Sequence, residues 1–441
     1  MINDYRNACV EILFQTEFRN LQLNYVRHKF FLKSNLKTSI KSRISVLTDQ
    51  VTRLRIRLDH VIKHTSGKKK EQIELRFMSI LRIAVYEILF DCRVPNYAAV
   101  SSAVDLSKHF FNKKSAGFAN AVLRKIIRHV ESNPRWIKDL SLDKEWHSLP
   151  NWILDRWLNR FDSNDFKNLT SLINSRPSTH IRFDANRISK KEVIYNLSKI
   201  NIITEISGTL DNFLKVKTGI SRLLSCQLFS NGLISIQDPA AGGCVELLNP
   251  KQGEIILDVC ASPGTKTLMI AEKIKGNGLI LASDISLERV KHGRKDVSRH
   301  GFTNIKWIKQ NAKSDKFQMA DKILVDAPCT GTGVLARRPD IRWRRKKEDV
   351  GKFSKIQIDI LNNISKYLKI GGELVFSTCS IEPEENWGVI ENFLSSNSNF
   401  NLLPSNSSLP KDWVNNNGCL ETLPHINGVD GMFAAKIIRN D

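Results

Sequence analysis

Cys329 lies in Asp326-Ala327-Pro328-Cys329-Thr330-Gly331-Thr332-Gly333, and Cys379 in Val375-Phe376-Ser377-Thr378-Cys379-Ser380, each at the end of a strand-like run. A thiol at the tip of a parallel strand is placed to attack a bound ligand. Pro328, Gly331, Gly333 and Ser380 leave room for such a ligand beside both sulfurs. The plain alternative, a small buried hydrophobe, is the usual role of a free cysteine. It is the expectation for Cys9, Cys92, Cys226, Cys244 and Cys419.

Two thiols suit one demanding reaction on a pyrimidine. The C5 carbon of cytosine is a poor nucleophile until a thiolate adds at C6 and turns the ring into an enamine. One cysteine suffices for that attack, and a second can remove the C5 proton so that the enzyme detaches. A free thiol, with a pKa of about 8.5, is only a few per cent ionised at neutral pH. Lys266, the arginines after Cys329 and a phosphate-binding field are the candidates for lowering it.

Upstream, Leu257-Asp258-Val259-Cys260-Ala261-Ser262-Pro263-Gly264-Thr265-Lys266-Thr267 follows an apolar run and opens a helical one. A small-residue turn lets backbone N–H groups approach a ligand, and a helix N-terminus favours negative charge. Asp284, twenty residues after Gly264, ends the next strand where a carboxylate accepts from a ribose diol. Thr265 in place of Gly before Lys266 argues against a nucleoside-triphosphate loop, and a single Gly beside Pro263 argues against a dinucleotide turn. An adenosine-containing cofactor is the remaining reading, against a purely structural turn.

These residues need a scaffold. At 441 residues the chain is too long for one core. From Tyr5 to about His129 the apolar spacing is helical, as in Ile73, Phe77, Ile80, Leu81, Ala84, Ile88 and in Phe118, Ala119, Val122, Leu123, Ile126. Asn133-Pro134 and Leu149-Pro150 mark a change of texture. Helices near Trp152–Phe161 and Asp165–Asn174, a strand at Thr179–Phe183 and a helix near Lys190–Ile200 follow. From Ile234 helix and strand alternate, with strands expected at Glu254–Val259, Gly278–Ser283, Ile305–Ile308, Lys322–Asp326 and Glu373–Thr378. The polar stretch Ser395–Ser408 reads as a surface loop.

The fold class is therefore multidomain: an all-α domain at 1–133, a small α+β module at 145–233, and a doubly wound, Rossmann-like α/β domain at 234–441.

A net charge of +22 points to a phosphate-rich partner, because the excess focuses a positive field. The alternative is simple solubility. Two clusters stand out. Arg53, Arg55, Arg57, Lys63 and Lys68-Lys69-Lys70 are expected on the surface of the helical domain. Arg337-Arg338-Pro339-Asp340-Ile341-Arg342-Trp343-Arg344-Arg345-Lys346-Lys347 interleaves seven basic residues with one aromatic ring, which suits phosphates and an unstacked base. Eight cysteines without a Cys-x-x-Cys pair or zinc spacing indicate neither a metal site nor a redox pair. Free thiols imply a reducing compartment, and no long apolar run is present, so a cytoplasmic protein with no membrane association is expected.

Asp-Val-Cys-Ala-Ser-Pro-Gly-Thr-Lys-Thr, Asp-Ala-Pro-Cys-Thr-Gly-Thr-Gly and Ser-Thr-Cys-Ser-Ile-Glu-Pro-Glu-Glu-Asn resemble, in order and spacing, the motif set of RNA cytosine-5 methyltransferases. Val94-Pro95-Asn96-Tyr97-Ala98-Ala99-Val100 and Gly117-Phe118-Ala119-Asn120-Ala121-Val122-Leu123-Arg124 are similar to a NusB-like domain. The combination resembles the bacterial Sun/RsmB family over nearly the whole chain.

That resemblance implies an S-adenosyl-L-methionine-dependent enzyme that methylates C5 of one cytosine in 16S ribosomal RNA, usually cytosine 967, through a covalent cysteine–C6 adduct. It implies Cys379 as nucleophile and Cys329 as the aid to product release. A related family of DNA enzymes uses the Pro-Cys thiol for attack, which keeps the reverse assignment open. The cofactor residues implied are Cys260, Ala261, Ser262, Pro263, Gly264, Thr265, Lys266, Asp284, Asn311 and Asp326. Two departures stand out: Thr265 replaces the second Gly of the family's Pro-Gly-Gly-Lys, and Gln310-Asn311 replaces a Gly-Asp pair. The RNA is expected to be naked or partly assembled, and the protein a monomer. The competing expectations are a transfer-RNA methyltransferase and a non-catalytic, antitermination-like RNA-binding factor.

Overall fold

The computed structural model describes residues 5–133, 135–405 and 409–441. The chain forms two compact units, one of residues 1–176 with 335–345 and the other of residues 177–334 with 346–441. The helical stretches Asn151–Arg160 and Ser163–Ile173 thus group with the N-terminal helices, while the following strands group with the large sheet.

The first unit is all helical. Tyr5–Phe18, Thr38–Arg53, Arg55–Ser66, Leu75–Phe90, Asn96–Phe110 and Lys113–Ser132 are its long helices. Local sequence sets their ends: Glu74 caps through the Phe77 N–H, Asn112 through the Ser115 N–H, and Gly67 closes Arg55–Ser66 at φ 71°. Leu75–Phe90 is apolar nearly all round, and Met78, Ile80, Leu81, Ala84 and Val85 in it are buried. A helix of that kind is the centre of a bundle rather than its flank.

The expected basic surface around Arg53, Arg55 and Arg57 is not there. Arg53 is buried, Arg55 pairs with Glu17 at 3.5 Å, and Arg57 donates to the Trp146 carbonyl at 2.8 Å. Their aliphatic stems suit a helix junction, which the charge pattern alone does not reveal. Lys63, Lys68 and Lys69 are exposed, as expected.

The basic run after Cys329 also differs from expectation. Arg342 is fully buried, and its guanidinium donates to the carbonyls of Arg53, Ser148, Ile173 and Leu335 and to Asn174 Oδ1 at 2.8–3.3 Å. Trp343 donates Nε1–H to the Thr52 carbonyl at 2.7 Å and lies under the Arg55 guanidinium. Its ring is committed to the fold, not held out for a base. Arg338, Lys346 and Lys347 are the exposed cations of the run.

In the second unit, β1 (Thr179–Phe183), β2 (Ile203–Ile206), β3 (Phe213–Thr218) and β4 (Ile234–Ile236) make an antiparallel sheet in the order β2-β3-β1-β4. The large sheet contains β5 (Ile255–Val259), β6 (Leu279–Asp284), β7 (Ile305–Lys309), β8 (Ala320–Asp326), β9 (Leu368–Thr378), β10 (Phe400–Leu402), β11 (Leu420–Thr422) and β12 (Met432–Arg439). Its order is β10-β12-β9-β8-β5-β6-β7, with β11 paired to β12. Strands β5 to β9 are parallel, and β10, β11 and β12 join antiparallel, so the sheet is mixed.

Successive residues of each central strand feed opposite layers. Ile256, Leu324 and Val375 pack with helices Pro239–Leu248, Thr265–Lys273 and Leu287–His300, while Leu257, Ile323, Val325 and Phe376 pack with Lys347–Ile364 and Trp387–Ser396. Burial on both faces is why these strands read as continuous apolar runs. The expected loop at Ser395–Ser408 is partly regular: Ser395 and Ser396 end a helix and Phe400–Leu402 is a strand, while 406–408 lie outside the described residues. Pro134 of the expected Asn133-Pro134 break lies outside them too.

Candidate active site

The strand order reverses at β5, flanked by β6 on one side and β8 on the other. In open α/β sheets ligands bind at such a point, beyond the carboxyl ends of the strands. All the expected site residues follow these ends in the same unit.

The turn after β5 is shaped by backbone. Cys260 has φ 60° and Gly264 φ 107°, and the Ser262–Pro263 peptide is cis. A Cβ on Gly264 would stand 3.0 Å from the Trp307 ring of β7. Gly293 packs against the same indole, so Trp307 seals the turn from behind. The Ala261 N–H donates to the Ser283 carbonyl at 2.9 Å, tying the turn to β6. Thr265 opens the helix Thr265–Lys273, and its carbonyl accepts from buried Arg182 of β1 at 3.1 Å. Arg182 also clamps both carboxylate oxygens of Glu272, at 2.8 and 2.7 Å. Burial first, then the surrounding aspartates, pushes the Cys260 thiol up to about 12. A thiol held there is little ionised at neutral pH.

Asp284, at the end of β6, accepts the Ser286 N–H at 3.0 Å and lies 3.8 Å from Arg289. A carboxylate has acceptor capacity beyond these two contacts, enough for a diol. Asn311 shapes its own turn: its N–H donates to Asp315 Oδ2 at 2.9 Å and its Oδ1 accepts the Lys313 N–H at 3.1 Å. Its amide NH₂ is what it offers a ligand. A flush turn, the N–H groups of a nine-residue helix and an acid at the next strand end fit a donor with a carboxylate and an adenosine.

Asp326 ends β8. It takes a 2.8 Å ion pair from Lys266 and a 3.0 Å hydrogen bond from Ser377 Oγ. Burial disfavours the Lys266 ammonium, but Asp326 outweighs it and holds the pKa above the usual lysine value. Lys266 thus stays charged, and its field also reaches Cys379.

The two thiols meet: Cys329 Sγ and Cys379 Sγ are 3.3 Å apart. Backbone brings them together. The Ala327 N–H donates to the Ser377 carbonyl at 2.8 Å and the Gly333 N–H to the Cys379 carbonyl at 3.0 Å. Gly333 admits no side chain, since a Cβ there would fall 2.2 Å from the Gly431 carbonyl oxygen. The hydrogen bond to Cys379 and burial drive the Cys329 pKa well above the usual thiol value. Two thiols in contact do not ionise together.

Several residues here were not expected from the sequence. Buried Asp258 accepts from Thr267 Oγ1 at 2.5 Å, and its Oδ1 has no hydrogen-bond partner. Glu385 is buried beneath both cysteine loops. Its place in Glu384-Glu385-Asn386, inside the motif that runs from Ser377 through Cys379 to Asn386, was the available signal. Arg182 had none. Cys9, Cys226, Cys244 and Cys419 are buried as expected, whereas Cys92 is exposed. Among the described residues no group of three or more His, Cys, Asp or Glu is placed to hold a metal, and no helix is long and apolar enough to cross a membrane.

A doubly wound sheet with a donor turn after β5 and paired thiols after β8 and β9, joined in one chain to an all-helical unit, defines a class of methyltransferase. Residues 245–438 match the family model for the 16S rRNA methyltransferase RsmB/F, and residues 3–128 match the NusB family. The chain is 30% identical to the probable ribosomal RNA small subunit methyltransferase B of Synechocystis sp. over 88% of both chains. It is 28% identical to the Bacillus subtilis protein described by the same words, over 97% of both. The crystal structure of PH0851 superposes over all of both chains with a TM-score of 0.80 at 25% identity. The chain belongs to the RsmB/F family of S-adenosylmethionine-dependent rRNA methyltransferases.

Proposed function

We propose that this enzyme methylates C5 of one cytosine in 16S rRNA, with cytosine 967 as the position implied by its family. The observation that carries the reading is the 3.3 Å contact between Cys329 and Cys379 at the ends of adjacent parallel strands. The donor, held by the turn from Cys260 to Lys266 with Asp284 and Asn311, supplies an electrophilic methyl group.

Cys379 attacks C6, forming a C–S bond and making C5 nucleophilic. Asp326 orients the target amine, and Lys266 steadies anionic charge at Cys379. Once C5 is methylated, Cys329, after losing its own proton to solvent, takes the C5 proton. The C5–H electron pair rebuilds the C5–C6 double bond as the C–S bond breaks, returning Cys379 to thiolate. The base must be reachable, so naked or partly assembled RNA in the cytoplasm is the proposed substrate, bound by a monomer. Unstacking costs a few kcal/mol, least in a loop. In this reading the helical domain at 1–133 and the module at 145–233 recognise RNA and 234–441 performs the chemistry.

Bisulfite mapping of 16S rRNA from a deletion strain, with and without the restored gene, tests the target. Loss and return of one C5 mark is expected; a mark lost from transfer RNA instead would refute the 16S assignment. Cys379→Ala should abolish transfer, while Cys329→Ala should accumulate a denaturant-resistant protein–RNA adduct on gels. Swapped phenotypes would reverse the roles.

A further inference from the structure

Glu385 is fully buried where the two cysteine loops meet. Its Oε1 accepts the Thr330 N–H at 2.8 Å and Gln357 Nε2 at 3.3 Å. Its Oε2 accepts Ser380 Oγ at 2.6 Å and, by a very short bond, Thr330 Oγ1. Thr330 follows Cys329 and Ser380 follows Cys379, so one carboxylate holds the residue next to each thiol. Gln357 extends the clamp, donating to the Pro328 carbonyl at 2.9 Å on the other side of Cys329. Thr332 Oγ1 lies 3.2 Å from Ser380 Oγ and accepts the Ile381 N–H at 3.1 Å, closing the ring of contacts.

A buried carboxylate is costly unless its lone pairs are used, and here both oxygens are fully engaged by donors. An apolar residue would bridge loops at lower cost. The charge itself therefore calls for an explanation, and its nearest titratable neighbours supply one. Cys329 feels Cys379 and Glu385; Cys379 feels Lys266, itself paired with Asp326; Glu385 has Glu382 nearby. A negative charge on the Cys329 side and a positive one toward Cys379 polarise the pair.

We propose that Glu385 is a positioning residue that fixes the two thiols in contact and keeps the shared proton on Cys329, so that Cys379 is the sulfur that attacks. This rests on the covalent cytosine reading given above. Burial raises the Glu385 pKa above its usual value, against the Ser380 and Thr330 donors, which favour the ionised form.

Glu385→Gln separates charge from shape: its amide can still face Thr330 and Ser380, whose hydroxyls also accept. The measurement is alkylation of Cys329 by iodoacetamide against pH, followed by mass spectrometry of its peptide, in Cys379→Ser protein with and without Glu385→Gln. The midpoint with Gln is expected about one pH unit lower, because a like charge has been removed from beside the thiol. An unchanged or higher midpoint would overturn the proposal.

The measurement needs neither RNA nor methyl donor, so it stands even if the cytosine reading fails. That failure would show instead as no adduct with any variant. In otherwise unaltered protein, Glu385→Ala should slow adduct formation about tenfold relative to adduct resolution, whereas a merely structural residue would depress both alike. Equal depression would also overturn the assignment.

Discussion

At the scale of residues, the site places charge where solvation would not. Burial lifts the Asp258 carboxyl from 3.8 to about 7, against the Thr267 hydrogen bond that favours the ionised form. A group whose folded-state pKa is raised contributes stability that is full below the unfolded value and lost as pH rises through the folded one. Asp258 thus weakens the fold progressively from about pH 4 to pH 7. Asp258→Asn keeps an acceptor for Thr267 and cannot ionise. Its melting temperature relative to the parent should climb across that window and level off above it, as calorimetry at pH 4.5, 6 and 7.5 would show. A constant difference would mean the carboxyl does not titrate in place. None of this was legible in the sequence, where Asp258 is one residue of a motif and its lack of a second hydrogen-bond partner is invisible. The thiols were legible, because small residues around each gave a local reason for an open sulfur. Their 3.3 Å contact depends on the pairing of β8 with β9, and no spacing along the chain contains it.

At the scale of elements, the central parallel strands β5, β8 and β9 could be read because they carry apolar runs buried on both faces and bounded by polar turns. The short antiparallel strands β10 and β11 could not, since three residues carry no periodicity. The basic clusters misled for a related reason: charge in a sequence suggests a surface, yet Arg342 is spent on backbone carbonyls. It gathers the end of Thr38–Arg53, the loop at Ser148 and the end of Ser163–Ile173, and no carboxylate is among its bonded partners among the described residues. Burial, then repulsion from Arg53 and Arg57, lowers its pKa well below the usual value. Arg342→Met would remove a donor from each of these buried carbonyl oxygens, at up to about 1–3 kcal/mol where no other donor remains; the Arg53 carbonyl keeps Ser148 Oγ. A drop in melting temperature of several degrees is expected. Arg342→Lys should not restore it, because a compact ammonium lacks the planar fork that reaches separated acceptors. Recovery with Lys would show that charge alone matters.

At the scale of the whole molecule, the net charge is +22 on 441 residues, only a few of whose arginines are buried as structural groups. If the exposed lysines and arginines engage phosphates, affinity for 16S rRNA fragments should fall linearly in log–log plots against salt, by about 0.7 per phosphate contacted on single strands. Fluorescence anisotropy between 50 and 300 mM salt would measure the slope, and a flat response would assign the charge to solubility. The segment 335–345 has a separate consequence. The chain enters the helical unit a second time just after the Cys329 motif and leaves it again before Lys346. The two units are therefore not beads on a string. A protease nick near Arg176 would leave them still joined by two strands of chain. A gene cut there would yield a C-terminal piece carrying Leu335 and Ile341, buried in the intact chain, without the helices they group with.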